Sequence, residues 1–277
     1  MDRNDPLAEP FKATEAAYRL TLPSHSIVGI RLDGRAFGSF TRAFERPYSD
    51  VFMDAMDTAA TRVIRDAVSG VLFGYAQSDE ITVFFTDRFS QVSALPFGGR
   101  VEKILSVAAA VASTSLAATL AAHTTALPAF DARVAVVGGL DEVAAYLTWR
   151  RLDARRNAVT MAAERVVPRR RLHGMSTPAR RAALTGTAYE VLPDGFLNGR
   201  LIVPEPREEQ VTWTHRRTGE ITTQTVTRTA WVSRPATGAA TDATLRAASE
   251  RLGAPEPWQA TSDLPPSAAP MPGDHCG

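Results

Sequence analysis

The sequence predicts an α+β fold: a split βαβ, ferredoxin-like antiparallel sheet with helices on one face, extended by a C-terminal β-hairpin. Three observations carry this expectation. Strand-like and helix-like segments follow one another as strand, helix, hairpin, helix, strand, helix between residues 26 and 167, the order that builds an antiparallel sheet with packed helices. Apolar residues recur at helical spacing in the helix-like segments and in short β-rich runs in the others. A later stretch alternates Thr with other residues around Thr218-Gly219, which reads as a second hairpin.

The elements follow in order. Ser26 to Asp33 (SIVGIRLD) is a strand ended by Gly34, where the chain can turn. Ser49 to Ser69 is a helix: Val51, Met53, Met56, Ala60, Val63 and Ile64 recur at helical spacing, and Ser49 or Asp50 can cap it. Val71 to Ala76 and Ile81 to Phe85 form a hairpin around a polar tip, Gln77-Ser78-Asp79-Glu80. An Ala-rich helix covers about 99–123, a strand 130–137 and a long helix 141–167. Residues 191–203 read as loop and short strand, and 211–232 as the second hairpin. Domain limits are therefore an N-terminal extension at 1–19, a catalytic domain at 20–205, a hairpin extension at 206–234 and a disordered tail at 235–277, where six prolines follow Gly253.

Composition excludes several classes. The chain has 277 residues, 44% hydrophobic and 22% charged, with net charge +1, an ordinary globular balance. One cysteine, Cys276, and five scattered histidines offer neither a disulfide framework nor a zinc site. The polar, acidic start is unlike a signal peptide, and the uncharged run from Ile104 to Ala122 is mostly Ala, Ser and Thr, which gain little from lipid. A buried helix and a cytoplasmic protein without a membrane role are expected.

The chemistry concentrates in three acids. Asp33 closes the first strand, and Asp79 and Glu80 sit at the hairpin tip, 46 residues later in the case of Asp79. In a split βαβ sheet these strand ends can lie side by side. Paired carboxylates suit Mg²⁺, which takes one or two carboxylates plus substrate phosphates. Two such ions roughly 3.5–4 Å apart can activate a hydroxyl and stabilise a leaving phosphate. The plainer alternative is a turn aspartate and a solvated hairpin tip. Arg46 precedes Pro47, and Arg100 and Lys103 open the Ala-rich helix, where free N–H groups and two cations suit phosphate. Ten arginines between residues 149 and 181, against only Asp153 and Glu164, give a local +8, the outline of an RNA phosphate footprint or else of a solvated basic face.

The motifs resemble a known family. Arg31-Leu32-Asp33-Gly34-Arg35-Ala36-Phe37 with Phe40, then Tyr75-Ala76-Gln77-Ser78-Asp79-Glu80, then Phe130-Asp131-Ala132-Arg133 and Tyr146-Leu147-Thr148-Trp149-Arg150, are similar, in this order, to the landmarks of the tRNA-histidine guanylyltransferase family. The resemblance spans about residues 20–205. It implies a polymerase palm working in the reverse, 3′-to-5′ direction on the 5′ end of tRNA. It further implies two Mg²⁺ on Asp33, Asp79 and the Gly34 carbonyl, with Glu80 as a further catalytic acid. Gly34, Arg35, Ala36, Phe37, Arg46, Ser78, Arg100 and Lys103 would bind nucleotide. Arg150, Arg155, Arg156 and Asn157 would contact RNA. ATP and GTP or other NTPs would be substrates, tRNA the partner, and a homo-oligomer, a tetramer by resemblance, the expected assembly.

Departures matter. Arg155-Arg156-Asn157-Ala158-Val159-Thr160-Met161 stands where eukaryotic members carry His-Ile-Asn-Asn-Leu-Tyr-Asn, and Gly38 replaces a histidine of the first motif. This resembles the bacterial and archaeal Thg-like subset, which favours template-directed 5′-end repair. Other readings are a catalytically inactive RNA-binding module on the same fold, or a palm-type nucleotide cyclase, whose Gly-Gly-Asp/Glu-Glu-Phe hairpin is absent here.

Overall fold

A computed structural model describes residues 6–90 and 92–253. A short helix, α1 (Glu9–Ala16), buries none of its residues. It leads to β1 (Ile27–Gly34), the short helix α2 (Phe37–Phe40), α3 (Asp50–Asp66), β2 (Val71–Gln77), β3 (Glu80–Thr86), α4 (Val101–Thr119), β4 (Phe130–Val137) and α5 (Leu140–Val166). Three short helices follow, α6 (Arg169–Leu172), α7 (Thr177–Ala182) and α8 (Asp194–Asn198). Then come the long strands β5 (Arg200–Thr214) and β6 (Ile221–Pro235), and α9 (Gly238–Leu252). The six strands make one sheet in the order β4-β1-β3-β2-β5-β6, with every neighbouring pair antiparallel. The mixed helix and antiparallel-sheet class is as the sequence predicts.

Helices on one face is the part that needs correcting. β2 and β3 are buried at every position, and a strand buried on both faces needs cover on both. On one face Val28, Ile30, Leu32, Ile81, Val83 and Phe85 pack with α3 and α4. On the other, Ile27, Phe73, Tyr75 and Phe84 meet Val143, Ala144 and Leu147 of α5, and Leu245 and Ala248 of α9. α4, long and apolar enough to cross a membrane by length and composition, sets Ile104, Ala108, Ala112 and Leu116 against the sheet.

Local chemistry sets the ends of these elements. Ser49 caps α3 by accepting the Phe52 N–H. Gly70 adopts φ +69° where a Cβ would meet the Thr86 carbonyl oxygen at 2.0 Å, so only glycine fits before β2. The predicted disordered tail is also corrected: residues 238–252 form α9. Thr237 accepts the Ala240 N–H, Gly253 closes the helix in the left-handed region, and Leu245 and Ala248 bury one face. The expected disorder of the last 25 residues lies almost wholly outside the described residues.

The second hairpin begins earlier than the Thr pattern implied, because β5 starts at Arg200 inside the sheet, pairing Ile202, Leu201 and Arg200 with Gly74, Tyr75 and Ala76. Its root is locked by a buried ion pair. Arg200 Nε donates to both Asp57 oxygens at 2.7 and 2.9 Å, and Ser233 Oγ donates to Asp57 at 2.6 Å. Replacing Asp57 by Ala strands the Arg200 charge, and urea denaturation should show a loss of about 3 kcal/mol; a change within ~0.5 kcal/mol would mean this pair does not anchor the hairpin.

Candidate functional site

β1 and β3 run antiparallel with Asp33 directly opposite Glu80, and β4 sets Asp131 opposite Asp33 on the other side. Directly paired residues share a face, here the face covered by α5. Three acids therefore form a row across the end of the sheet, and the β2–β3 tip adds Asp79. The tip is tied to the end of β1 by the Gly34 N–H, which donates to the Asp79 carbonyl at 3.0 Å. Ala36 and Ser78, either side of this junction, both hold positive φ, 58° and 44°, a strained conformation for residues with a Cβ and one that recurs at ligand sites.

Arginines sort the four acids. Asp131 accepts from Arg133 at 2.7 Å in an exposed pair. Glu80, only 5% exposed, is gripped by Arg150, whose Nε and Nη2 donate to its two oxygens at 2.9 and 2.6 Å; Arg31 approaches to 3.9 Å. Burial pushes the Glu80 carboxyl up and the Arg150 charge pulls it back. Asp33 and Asp79 form no ion pair among the described residues. Burial pushes Asp79 above the usual carboxylate range, the Asp33 charge adds to this, and a Ser78 hydrogen bond opposes it. Two neighbouring, partly buried carboxylates with no cation in ion-pair contact among the described residues fit a divalent ion. The described residues hold no group of three or more His, Cys, Asp or Glu side chains suited to a metal, which leaves the Asp33 and Asp79 pair as the candidate carboxylates. That suits Mg²⁺, which keeps waters and takes substrate oxygens.

The nucleotide-binding expectations divide. Arg35 and Ala36 are exposed beside Gly34. Arg46 and Ser78 line one cleft with Thr41, Phe44, Tyr48 and Phe196, next to Asp79 in sequence and space. Phe37 does not face a ligand. It is 3% exposed and packs on Phe40 and Phe130 with ring centroids 4.9 and 5.1 Å away. It also explains Gly34, whose missing Cβ would lie 2.5 Å from the Phe37 ring. Arg100 and Lys103 are not brought to the carboxylates. β3 leaves them at Glu80 and ends at Thr86, opposite Ile27, and α4 then runs back toward them. It is the far end of α4 that returns, with His123 6.2 Å from Phe44. Its 19 residues place Arg100 roughly 28 Å away along the helix axis.

The arginine block divides likewise. Arg150 is 7% exposed and committed to Glu80 and Asp153, so it is not an RNA contact. Arg151 is 2% exposed. Arg155 is half-buried and donates to Asn198 Oδ1 at 2.8 Å, which turns it from solvent. Arg156 and Asn157 are exposed, as are Arg165, Arg169, Arg170, Arg171 and Arg181. Arg31 and Trp149 were missed as members of the site: Trp149 stands 52% exposed, with the Arg150 guanidinium 4.5 Å and that of Arg31 5.8 Å from its ring centroid. The signal was present in α5, where Arg150 sits three residues after Leu147 and four before Ala154, inside the apolar stripe.

Residues 8–138 match the sequence model of the family described as Thg1, tRNAHis guanylyltransferase. An uncharacterized protein of Acanthamoeba polyphaga mimivirus is 35% identical over 116 residues, 40% of this chain and 39% of that protein. A probable tRNA(His) guanylyltransferase of Drosophila melanogaster is 29% identical over 142 residues, 49% of this chain and 47% of that protein. The chain thus spans less than half the length of either relative. In fold it is similar to a bacterial tRNA(His) guanylyltransferase-like protein solved with GTP, with TM-score 0.71 and 23% identity over 88% of this chain and 99% of that one. The ATP complex of a bacterial protein so described gives TM-score 0.69 and 24% identity over 82% and 91%. Residues 8–138, the segment that carries the carboxylate junction, are therefore similar in sequence to the tRNAHis guanylyltransferase family, and the chain shares the fold of bacterial proteins so described.

Proposed function

We propose that this protein is a metal-dependent nucleotidyltransferase of the palm type that adds nucleotides to the 5′ end of tRNA. The observation that carries the reading is the pair of neighbouring carboxylates, Asp33 and Asp79, in no ion pair among the described residues and beside a cleft that holds Arg46 and Ser78. Asp33, Asp79 and the Gly34 carbonyl would hold Mg²⁺. When bound, that cation lowers the pKa of an attacking hydroxyl and stabilises charge on phosphate oxygens. The match of residues 8–138 to the family model supports the same reaction class, and the nucleotides bound to the two bacterial neighbours support ATP and GTP as ligand types.

The chain's own residues do the rest. Arg46 supplies a fork for triphosphate oxygens, and Ser78 a hydroxyl beside them. The backbone of Gly34-Arg35-Ala36 edges the same junction. In the reaction, the 3′-hydroxyl of an incoming NTP attacks the 5′ phosphorus of the RNA. Pyrophosphate leaves if that end is a triphosphate, or AMP if it has been adenylylated with ATP. The exposed arginines 156, 165, 169, 170, 171 and 181 would carry the RNA backbone, with tRNA as the partner and a homo-oligomer as the expected assembly. Since Arg155-Arg156-Asn157 replaces the eukaryotic histidine motif, base pairing with the opposite strand chooses the nucleotide, and the protein supplies position and charge.

The test is a tRNA truncated at its 5′ end, offered each labelled NTP with Mg²⁺, with the opposing base varied. The added nucleotide should follow the opposing base, and Asp33→Ala and Asp79→Ala should each abolish addition while the thermal transition is retained. Guanosine added whatever stands opposite would contradict templated choice. Near-normal Mg²⁺-dependent rates in either variant would contradict the site.

RNA binding gives a separate expectation. Arg156→Gln should lower the log–log salt slope of tRNA affinity by somewhat less than about one unit, whereas Arg155→Gln, whose head group is held by Asn198, should leave the slope unchanged. Equal effects would show that the Arg155 side chain reaches RNA after all.

A further inference from the structure

We propose that Arg150 is a positioning residue: it keeps Glu80 out of the cation site and so leaves Asp33 and Asp79 as the carboxylate ligands. The inference rests on the metal-site reading above and deepens it. Glu80 is directly opposite Asp33 on the face under α5. Directly paired residues hold their Cβ atoms only ~4.5–5.5 Å apart, so an unrestrained Glu80 carboxylate could reach a cation held by Asp33.

Both of its oxygens are instead taken. Arg150 Nε donates to Oε1 at 2.9 Å and Arg150 Nη2 to Oε2 at 2.6 Å. Gln77 Nε2 adds a longer bond to Oε1 at 3.4 Å, and Arg31 closes the other side at 3.9 Å. Arg150 is itself fixed, by Asp153 Oδ2 at 2.9 Å and by the Trp149 ring 4.5 Å from its guanidinium carbon. A planar guanidinium matched to both oxygens of a buried carboxylate takes one lone-pair site on each and fixes the direction in which the group points, so the carboxylate is held on Arg150 instead of turning to a cation.

The clamp joins three elements. Arg31 and Glu80 belong to β1 and β3, the strands that carry Asp33 and adjoin Asp79, and Arg150 comes from α5. The helix thereby sets how many carboxylates the site presents. Ligand number and charge set the affinity for a divalent cation. A third carboxylate would hold the ion more tightly and at the same time spend its charge on the protein instead of on phosphate oxygens. Release of Glu80 should therefore strengthen ion binding and slow transfer together, a combination that a loosened fold does not produce.

The experiment is Mn²⁺ binding to the full chain without RNA or nucleotide, read as free Mn²⁺ by electron paramagnetic resonance, beside nucleotide transfer. Arg150→Met should bind Mn²⁺ about tenfold more tightly and transfer at least about tenfold more slowly. The double variant Glu80→Gln/Arg150→Met should return to wild-type Mn²⁺ affinity, since it has no carboxylate to release. Glu80→Gln alone should stay within about twofold of wild type in Mn²⁺ affinity, a readout that stands even where Arg150→Met fails to fold. Unchanged or weaker Mn²⁺ binding in folded Arg150→Met overturns the clamp, and so does a large loss of Mn²⁺ affinity in Glu80→Gln. Asp79→Asn separates the two layers. If it leaves Mn²⁺ binding intact, the metal site itself falls and the clamp with it. If it abolishes binding while Arg150→Met changes nothing, only the clamp falls.

Discussion

Antiparallel pairing of β1 with β3 is the constraint on which the rest depends. Its register places Asp33 opposite Glu80 and brings the β2–β3 tip, with Asp79, against the end of β1. Like charges directly opposite on a sheet are unfavourable, so a fold that keeps this register must dispose of the charge. It does so by pairing two acids with arginine, while Asp33 and Asp79 form no ion pair among the described residues. The same register explains the local backbone. Gly34 has no Cβ because the Phe37 ring lies beneath it, and Ala36 and Ser78 hold left-handed conformations so that both turns can meet.

The burial of both sheet faces follows from the same strands. β2 and β3 are apolar on each side, and α5 therefore lies where the acids emerge. This gives α5 a double role, as cover for Phe84 and Ile27 through Val143 and Leu147, and as the source of Arg150. A buried ion pair contributes little net stability once desolvation is counted. Its consequence here is geometric: it fixes the carboxylate next to Asp79 in a single arrangement. Asp153 links this buried pair to the surface, because it accepts from Arg150 on one side and from exposed Arg156 on the other.

Much of this was legible in the chain. The order of elements from β1 to α5 follows from apolar period and turn residues, and Asp33 and Asp79 stand out as acids, one at the end of a hydrophobic strand and one at the tip between two. The roles of individual arginines were not legible in the same way. Arg150, Arg155 and Arg156 look alike as a charge run, yet one is buried against Glu80, one is turned to Asn198 and one is solvated. Only the angular position on α5 distinguishes them, and that depends on which face the sheet takes. Arg100 and Lys103 fit a helix N-terminus that suits phosphate, but the direction of α4 carries them to the opposite end of the sheet. α9 was hidden by the proline-rich composition beyond Gly253, although Thr237 and Gly253 bracket a proline-free stretch with good caps.

The most direct measurement of the central claim is a crystal of the protein soaked in Mn²⁺, with anomalous scattering used to place the ion. The account predicts a peak coordinated by the Asp33 and Asp79 carboxylates, with Glu80 still paired to Arg150 and outside the coordination shell. An ion ligated by Glu80, or no peak at the Asp33–Asp79 junction, would contradict it.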